Sequence, residues 1–257
     1  MALEPTDKDG RSIRGVLFDK DGTLFDFGGT WGEWADRVLG DLAPRDPDLR
    51  IRLGHAGGYD VETGTFMPGS RLVNAAPDDM NAVWAQMLPH LTVDEIDAIG
   101  RKWLSDLKPK PVRHLREALG QLDAMGLVLG VATNDYSFSA HDQLQDAGVR
   151  QLFAFVCGYD SGYGAKPGPG MVEAFANATG ICLSEVAMVG DSTNDIQAGR
   201  AAGAGMVIGV LTGPARRTEL QGDADAVLES VAELPDLLSG RAVVSFPRIR
   251  SKTDGFR

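Results

Sequence analysis

The hydrophobic pattern divides the chain into two regimes. Residues 12–18 make a short apolar run that reads as a buried strand. From about residue 27 to residue 110, apolar positions recur at helical spacing, as Trp31, Trp34, Ala35, Val38 and Leu39 do. Polar loops such as 64–70 part these helices, with no comparable strand run among them. The segment Lys108-Pro109-Lys110-Pro111 is stiff and suits a hinge or linker. Beyond it, helix and strand alternate. Val112, Leu115, Leu119, Leu122 and Met125 mark a helix, and apolar runs at 127–132, 152–156, 186–189 and 205–210 mark strands, with a weaker one at 226–228. Helices are expected at 139–147, 170–179 and 195–202, and after the last strand. Such alternation predicts an α/β fold with a mostly parallel sheet in three layers. The expected organisation is a core built from residues 1–26 and 111–245, an α-helical insertion over 27–110, and a C-terminal tail at 246–257.

In an open parallel sheet, ligands sit at the carboxyl ends of the strands. The first predicted strand is followed by Asp19-Lys20-Asp21-Gly22, which taken alone is a polar turn. Two carboxylates one residue apart at a strand end nevertheless point roughly the same way and repel, and a hard divalent cation offsets that repulsion. The second strand is followed by Thr133-Asn134. After the third comes Lys166-Pro167-Gly168-Pro169, and after the fourth Gly190-Asp191-Ser192-Thr193-Asn194-Asp195. Each has an ordinary reading: a surface lysine, a strand-end hydroxyl, an aspartate capping a helix. Four of them at one end of successive strands make a site for a phosphate and a metal. The Thr133 hydroxyl, the Asn134 backbone N–H and the Lys166 ammonium would donate to phosphoryl oxygens. One Asp19 oxygen, the Asp21 carbonyl and Asp191 would hold Mg²⁺ together with the phosphate and waters, with Asp195 at a helix start behind them. The other Asp19 oxygen is then the nucleophile. Asp21 would protonate the leaving alcohol and later take a proton from the attacking water.

Composition narrows the partners. A formal net charge of −11 argues against nucleic acid, whose phosphates need a basic face, so the expected partner is a small phosphorylated metabolite. No apolar run reaches membrane-spanning length and the N-terminus lacks the order of a signal peptide, so a cytoplasmic protein with no membrane partner is expected. No pattern in the chain sets an oligomeric state. Cys157 and Cys182 are expected as small buried hydrophobes rather than a disulfide framework. From Arg241 the tail carries five basic residues and one acid, which reads as a solvated end. Within residues 27–110, nine Lys and Arg face thirteen Asp and Glu, so the insertion does not draw an anion by its overall field. Placed groups must do so, and Arg71 and Arg52, with His55 beside the latter, are the candidates for a carboxylate or second polar group on the substrate. Trp31 is placed to help close the pocket over the leaving group.

The four motifs, Asp19-Lys20-Asp21-Gly22-Thr23, Thr133-Asn134, Lys166-Pro167-Gly168-Pro169 and Gly190-Asp191-Ser192-Thr193-Asn194-Asp195, resemble those of the haloacid dehalogenase-like hydrolase superfamily, in order and across nearly the whole chain. The resemblance implies a Rossmann-like core with a helical cap inserted between the first and second motifs, and a Mg²⁺-dependent reaction through an aspartyl-phosphate. Val189-Gly190-Asp191 and the run Asp195 to Gly203 are similar to phosphoglycolate phosphatase-like members. Dehalogenating members lack an acid two residues after the nucleophile, and here Asp21 is present. Phosphonate-cleaving members need a cap lysine in an apolar pocket, and Lys102, Lys108 and Lys110 all lie near the exit of the insertion. A phosphosugar mutase would use the same core residues and a cap that keeps water out. A non-catalytic phosphate-binding relative would be expected to have lost a chemical residue, and both Asp19 and Asp21 are kept.

Overall fold

The computed structural model describes residues 12–67, 70–104 and 107–240. The first strand, β1 (Gly15–Phe18), is buried along its whole length, which suits a central strand covered on both faces. The chain then leaves the sheet for a group of helices: α1 (Phe27–Leu42), α2 (Pro47–Gly57), α3 (Arg71–Asn74), α4 (Pro77–Met87) and α5 (Val93–Leu104). A two-residue hairpin, β2 (Tyr59–Asp60) with β3 (Thr65–Phe66), lies among them, an addition to the all-helical expectation that is too short to have shown a period-2 signal. These helices bury their own apolar cluster around Leu39, Leu53, Met80, Trp84, Leu88 and Ile96. The Trp84 indole donates to the Leu53 carbonyl at 3.0 Å, so its polar edge is satisfied inside that cluster.

Entry to and exit from the helical group run side by side. Asp26 donates from its backbone to Lys110 at 2.8 Å and Val112 to Leu24 at 3.0 Å. The segment expected as a linker is therefore backbone-paired to the turn that follows β1.

The remaining elements are α6 (Leu115–Ala124), β4 (Val128–Ala132), α7 (Ser137–Asp146), β5 (Phe153–Cys157), α8 (Gly170–Thr179), β6 (Val186–Gly190), α9 (Thr193–Ala202), β7 (Met206–Val210), α10 (Arg217–Leu220), β8 (Ala226–Leu228) and α11 (Leu234–Leu238). Six strands form one sheet in the order β5-β4-β1-β6-β7-β8, every pairing parallel. Side chains alternate across it. Val16 and Phe18 pack with Leu115, Leu119 and Leu122 on one face, while Leu17 packs with Met171, Phe175 and Met188 on the other. The three-layer α/β architecture is thus as the pattern predicts, and Rossmann-like as the resemblance implies, with some strand ends shifted by a residue or more. The first strand, for instance, begins at Gly15 rather than 12.

The path of the chain reverses between β1 and β6: β4 and β5 were added on one side of β1, and β6 opens the other. That reversal is where open α/β sheets place ligands. Of the two cysteines, Cys157 is buried, and burial pushes its thiol up to about 12. Cys182, expected to be buried, is exposed, because it sits in the turn between α8 and β6 rather than on either element. The tail at 246–257 lies outside the described residues.

Candidate active site

The carboxyl ends of β1, β4 and β6 meet under the helical group and frame a cavity of about 100 Å³. Asp19 leaves β1 with its backbone N–H on the Val189 carbonyl at 2.8 Å, a ladder bond that fixes the first residue after the strand. Its Oδ1 receives the Lys166 ammonium, which also reaches Asp195 Oδ1 at 2.6 Å. All three side chains are buried. Burial pushes the Asp19 carboxyl up to about 7, with the Lys166 charge opposing and Asp195 and Asp21 adding to the rise. For Lys166, burial works against the charge but the two carboxylates outweigh it, so its pKa lies above the ordinary lysine value.

Asp191 follows β6. It receives the Thr23 hydroxyl at 3.1 Å and is held well above the carboxylate range by burial, then by Asp19 and Asp195. Two glycines make room for it. A Cβ at Gly22, whose φ is +83°, would stand 2.4 Å from Asp191 Oδ2, and one at Gly213 would stand 1.7 Å from it. Asp195 occupies the third position of α9 in a capping box with Ser192: its Oδ2 accepts the Ser192 backbone at 3.0 Å and hydroxyl at 2.6 Å. One oxygen of Asp195 is thus spent on the helix start and the other on Lys166.

Carboxylate oxygens of Asp19, Asp191 and Asp195 lie within 4.8 Å of one another. Crowded buried carboxylates with an all-oxygen donor set suit a hard divalent cation. Asp21 stands apart from this trio. Its carboxylate is held by Lys20 at 2.9 Å, which leaves its backbone carbonyl, the group expected as a ligand, as its means of reaching a metal.

The phosphate-side expectations divide. Thr133, at the end of β4, lines the cavity, and its Oγ1 accepts the Asp135 backbone at 3.1 Å. Asn134 spends its side chain on the lysine loop, donating to the Lys166 carbonyl at 2.9 Å and accepting the Lys166 N–H at 2.8 Å. That reciprocal pair fixes Lys166 against β4, a role that the sequence reading, which counted only the Asn134 backbone, did not include.

In the roof, Arg71 opens α3 and lines the cavity. Arg52 does not: it is exposed on α2 and absent from the cavity wall, as is His55. That candidate fails because the inward face of α2 is taken by Leu53, Gly54 and Gly57, which sets Arg52 outward. Trp31 does line the cavity, stacked on Phe27 at 6.3 Å and edge-on to Trp34 at 5.3 Å.

Several residues were missed. Asp97 of α5 gathers the Tyr136 hydroxyl, the Asn81 amide at 3.1 Å and the Arg101 guanidinium at 2.8 Å, and Arg101 lies over the Tyr136 ring at 4.1 Å. This knot joins the helical group to the loop after β4. Lys20 and Asp135 were missed as well, although the polar run Thr133-Asn134-Asp135 directly after a strand carried the signal.

Comparisons with known proteins agree in direction. The family description "haloacid dehalogenase-like hydrolase" matches residues 13–203. A phosphoglycolate phosphatase of Vibrio vulnificus is 31% identical over 233 residues, spanning 89% of this chain and 97% of its own. Among solved structures, a predicted phosphoglycolate phosphatase from Haemophilus somnus superposes with a TM-score of 0.65 at 22% identity, covering 86% of this chain and 96% of that one. CbbY from Rhodobacter sphaeroides, solved in complex with phosphate, superposes at 0.62 with 20% identity, over 86% and 96% of the two chains.

Proposed function

The chain belongs to the haloacid dehalogenase-like hydrolases, and from that premise we propose that it is a Mg²⁺-dependent phosphatase that hydrolyses a small phosphomonoester through an aspartyl-phosphate on Asp19. The observation that carries this reading is the convergence of Asp19, Asp21, Thr133, Lys166 and Asp191 on one cavity at the point where the sheet order reverses. In the first step a free Asp19 oxygen bonds phosphorus as the bond to the leaving oxygen breaks, and Asp21 gives its proton to that oxygen. In the second, water attacks the phosphoaspartate, Asp21 takes its proton, and phosphate departs with Asp19 restored. Lys166 and the Thr133 hydroxyl offset charge on the phosphoryl oxygens. A Mg²⁺ ion held by Asp19, the Asp21 carbonyl and Asp191, with Asp195 behind them, would supply further charge neutralisation during transfer.

The helices over 27–110 are the cap of this reading, and Arg71 is its carboxylate-binding group: it lines the cavity, and a guanidinium binds a carboxylate through two parallel hydrogen bonds. The full-length phosphoglycolate phosphatase relative favours hydrolysis of a small metabolite over the phosphosugar mutase alternative. With a phosphoglycolate phosphatase as a full-length relative, 2-phosphoglycolate is the first substrate to try. A cytoplasmic setting belongs to the same reading. The test is release of inorganic phosphate from 2-phosphoglycolate and a panel of phosphorylated metabolites, with and without Mg²⁺. Phosphate release that depends on Mg²⁺ supports the proposal. No release from any member of the panel would refute it, and isomerised product without phosphate would point to the mutase.

A further inference from the structure

The residue between the two motif aspartates is a lysine with no exposed surface, in a place where an apolar side chain would need no partners at all. Its ammonium has three protons and three acceptors: Asp21, Asp135 Oδ2 at 2.9 Å, and Gln143 Oε1. It straddles both oxygens of Asp21, at 3.1 Å and 2.9 Å. The two anchors behind it are themselves fixed. Asp135 accepts the Tyr136 backbone at 2.7 Å and the Ser139 hydroxyl at 2.8 Å, and Gln143 donates to that same hydroxyl at 3.0 Å. Asp135, Ser139 and Gln143 are each at most 7% exposed, and the Trp31 ring lies 5.7 Å from the lysine nitrogen. The result is a closed, buried ring of hydrogen bonds that ties the turn after β1 to the loop after β4 and to α7, with Asp21 and Asp135 as its members lining the cavity.

We propose that Lys20 is a positioning residue: through the Asp135–Ser139–Gln143 ring it fixes the plane of the Asp21 carboxyl, so that Asp21 meets the leaving-group oxygen at the moment the phosphorus–oxygen bond breaks. This rests on the phosphatase reading and adds to it a residue that touches neither substrate nor metal. The consequence is specific. A leaving group that departs readily as an anion needs little protonation, whereas a poor one depends on a well-aimed acid. Loosening Asp21 therefore costs rate in proportion to how poor the leaving group is. A general loss of site structure costs rate on every substrate alike.

The experiment uses phenyl phosphate and 4-nitrophenyl phosphate with the full chain in Mg²⁺, comparing wild type with Lys20→Met. Because that change leaves Asp21 and Asp135 without their counter-charge, the double variant Lys20→Met/Asp135→Asn, which removes both charges together, is measured beside it. The expected result is a fall in kcat/KM, which reports the phosphoryl-transfer step and not the later part of Asp21 in hydrolysis of the phosphoaspartate, of about 10²-fold on phenyl phosphate, the lower end of what general acid catalysis supplies, with less than about a tenth of that effect on 4-nitrophenyl phosphate. Adding Lys20→Met to Asp21→Asn should leave the selectivity of the single Asp21→Asn variant as it was. Equal loss of kcat/KM on the two substrates in the double variant, or no loss on either, overturns the proposal. Absence of turnover of both esters by wild type would instead refute the phosphatase reading.

Discussion

Asp19→Asn should leave the protein inactive and, without metal, more stable. In the fold, burial lifts the Asp19 carboxyl from 3.8 to about 7, net of the attraction from Lys166. The unfolded chain carries this group ionised above about pH 4, while the folded chain does so only above about pH 7. The folded state therefore binds more protons in between, and stability from this group is greatest below pH 4 and is lost as pH rises towards 7. At 1.36 kcal/mol for each tenfold difference in proton affinity, carrying the charge at pH 8 costs about 4 kcal/mol at most. Asparagine keeps the shape without the charge, and Lys166 keeps Asp195 at 2.6 Å as a partner. For a chain of this size the gain is worth about 10 °C in Tm as an upper bound. Thermal melts in chelator at pH 8 and pH 5 should show the variant melting above wild type, by more at pH 8 than at pH 5. Mg²⁺ should raise the wild-type Tm and narrow the gap. Turnover should fall by about 10³-fold or more, since the attacking oxygen has lost its charge. A variant that melts below wild type at pH 8 in chelator would refute the claim that this carboxylate is held at a cost.

Other expectations concern the roof and the ion. Arg71→Ala should lower kcat/KM for a carboxylate-bearing phosphomonoester about 10- to 100-fold while sparing an aryl phosphate, whereas Arg52→Ala should leave both unchanged; kinetics on the two substrates separate the cases. Gly213→Ala should raise the Mg²⁺ concentration needed for half activity, because its Cβ would lie 1.7 Å from Asp191 Oδ2 and must displace that carboxylate; a Mg²⁺ titration checks it. Ca²⁺ should bind and inhibit, since an ion taking about 6–8 oxygens draws both Asp19 oxygens into its shell; activity in Ca²⁺ with Mg²⁺ removed measures this.

The core strands and the chemistry at their ends were legible because a buried parallel strand must be apolar throughout, so the first polar residue after it marks the edge of the sheet. Asp19, Thr133 and Asp191 all announced themselves in this way. Lys166 was legible only through company, ten residues past its strand, and what holds it there, the Asn134 side chain, bears no periodicity that a pattern could show. Arg71 and Arg52 illustrate the limit in the cap. Both are arginines on helical stretches, and which one faces the cavity depends on how five helices pack around Trp84 and Leu53, a tertiary outcome with no local signal.

Lys20 is the sharpest case, because its neighbours made it look ordinary. A lysine in a polar turn reads as solvated, and only the long-range partners Asp135 and Gln143, 115 and 123 residues away, turn it inward. Its burial also bears on the charge of the site. Asp19, Asp21, Asp135, Asp191 and Asp195 are five carboxylates on or beside the cavity, and Lys20 and Lys166 are the two lysines paired with them. Lys20 is committed to Asp21 and Asp135, so the trio of Asp19, Asp191 and Asp195 has Lys166 alone among the described lysines. Three crowded acids with one ammonium leave an excess of negative charge where a phosphate must dock, and a divalent cation would remove that excess at the point where the reaction needs it. The lysine that aims the acid is thus also the lysine that is not available to neutralise the nucleophile's neighbours, and this division of the two ammonium groups is what suits the site to a divalent cation.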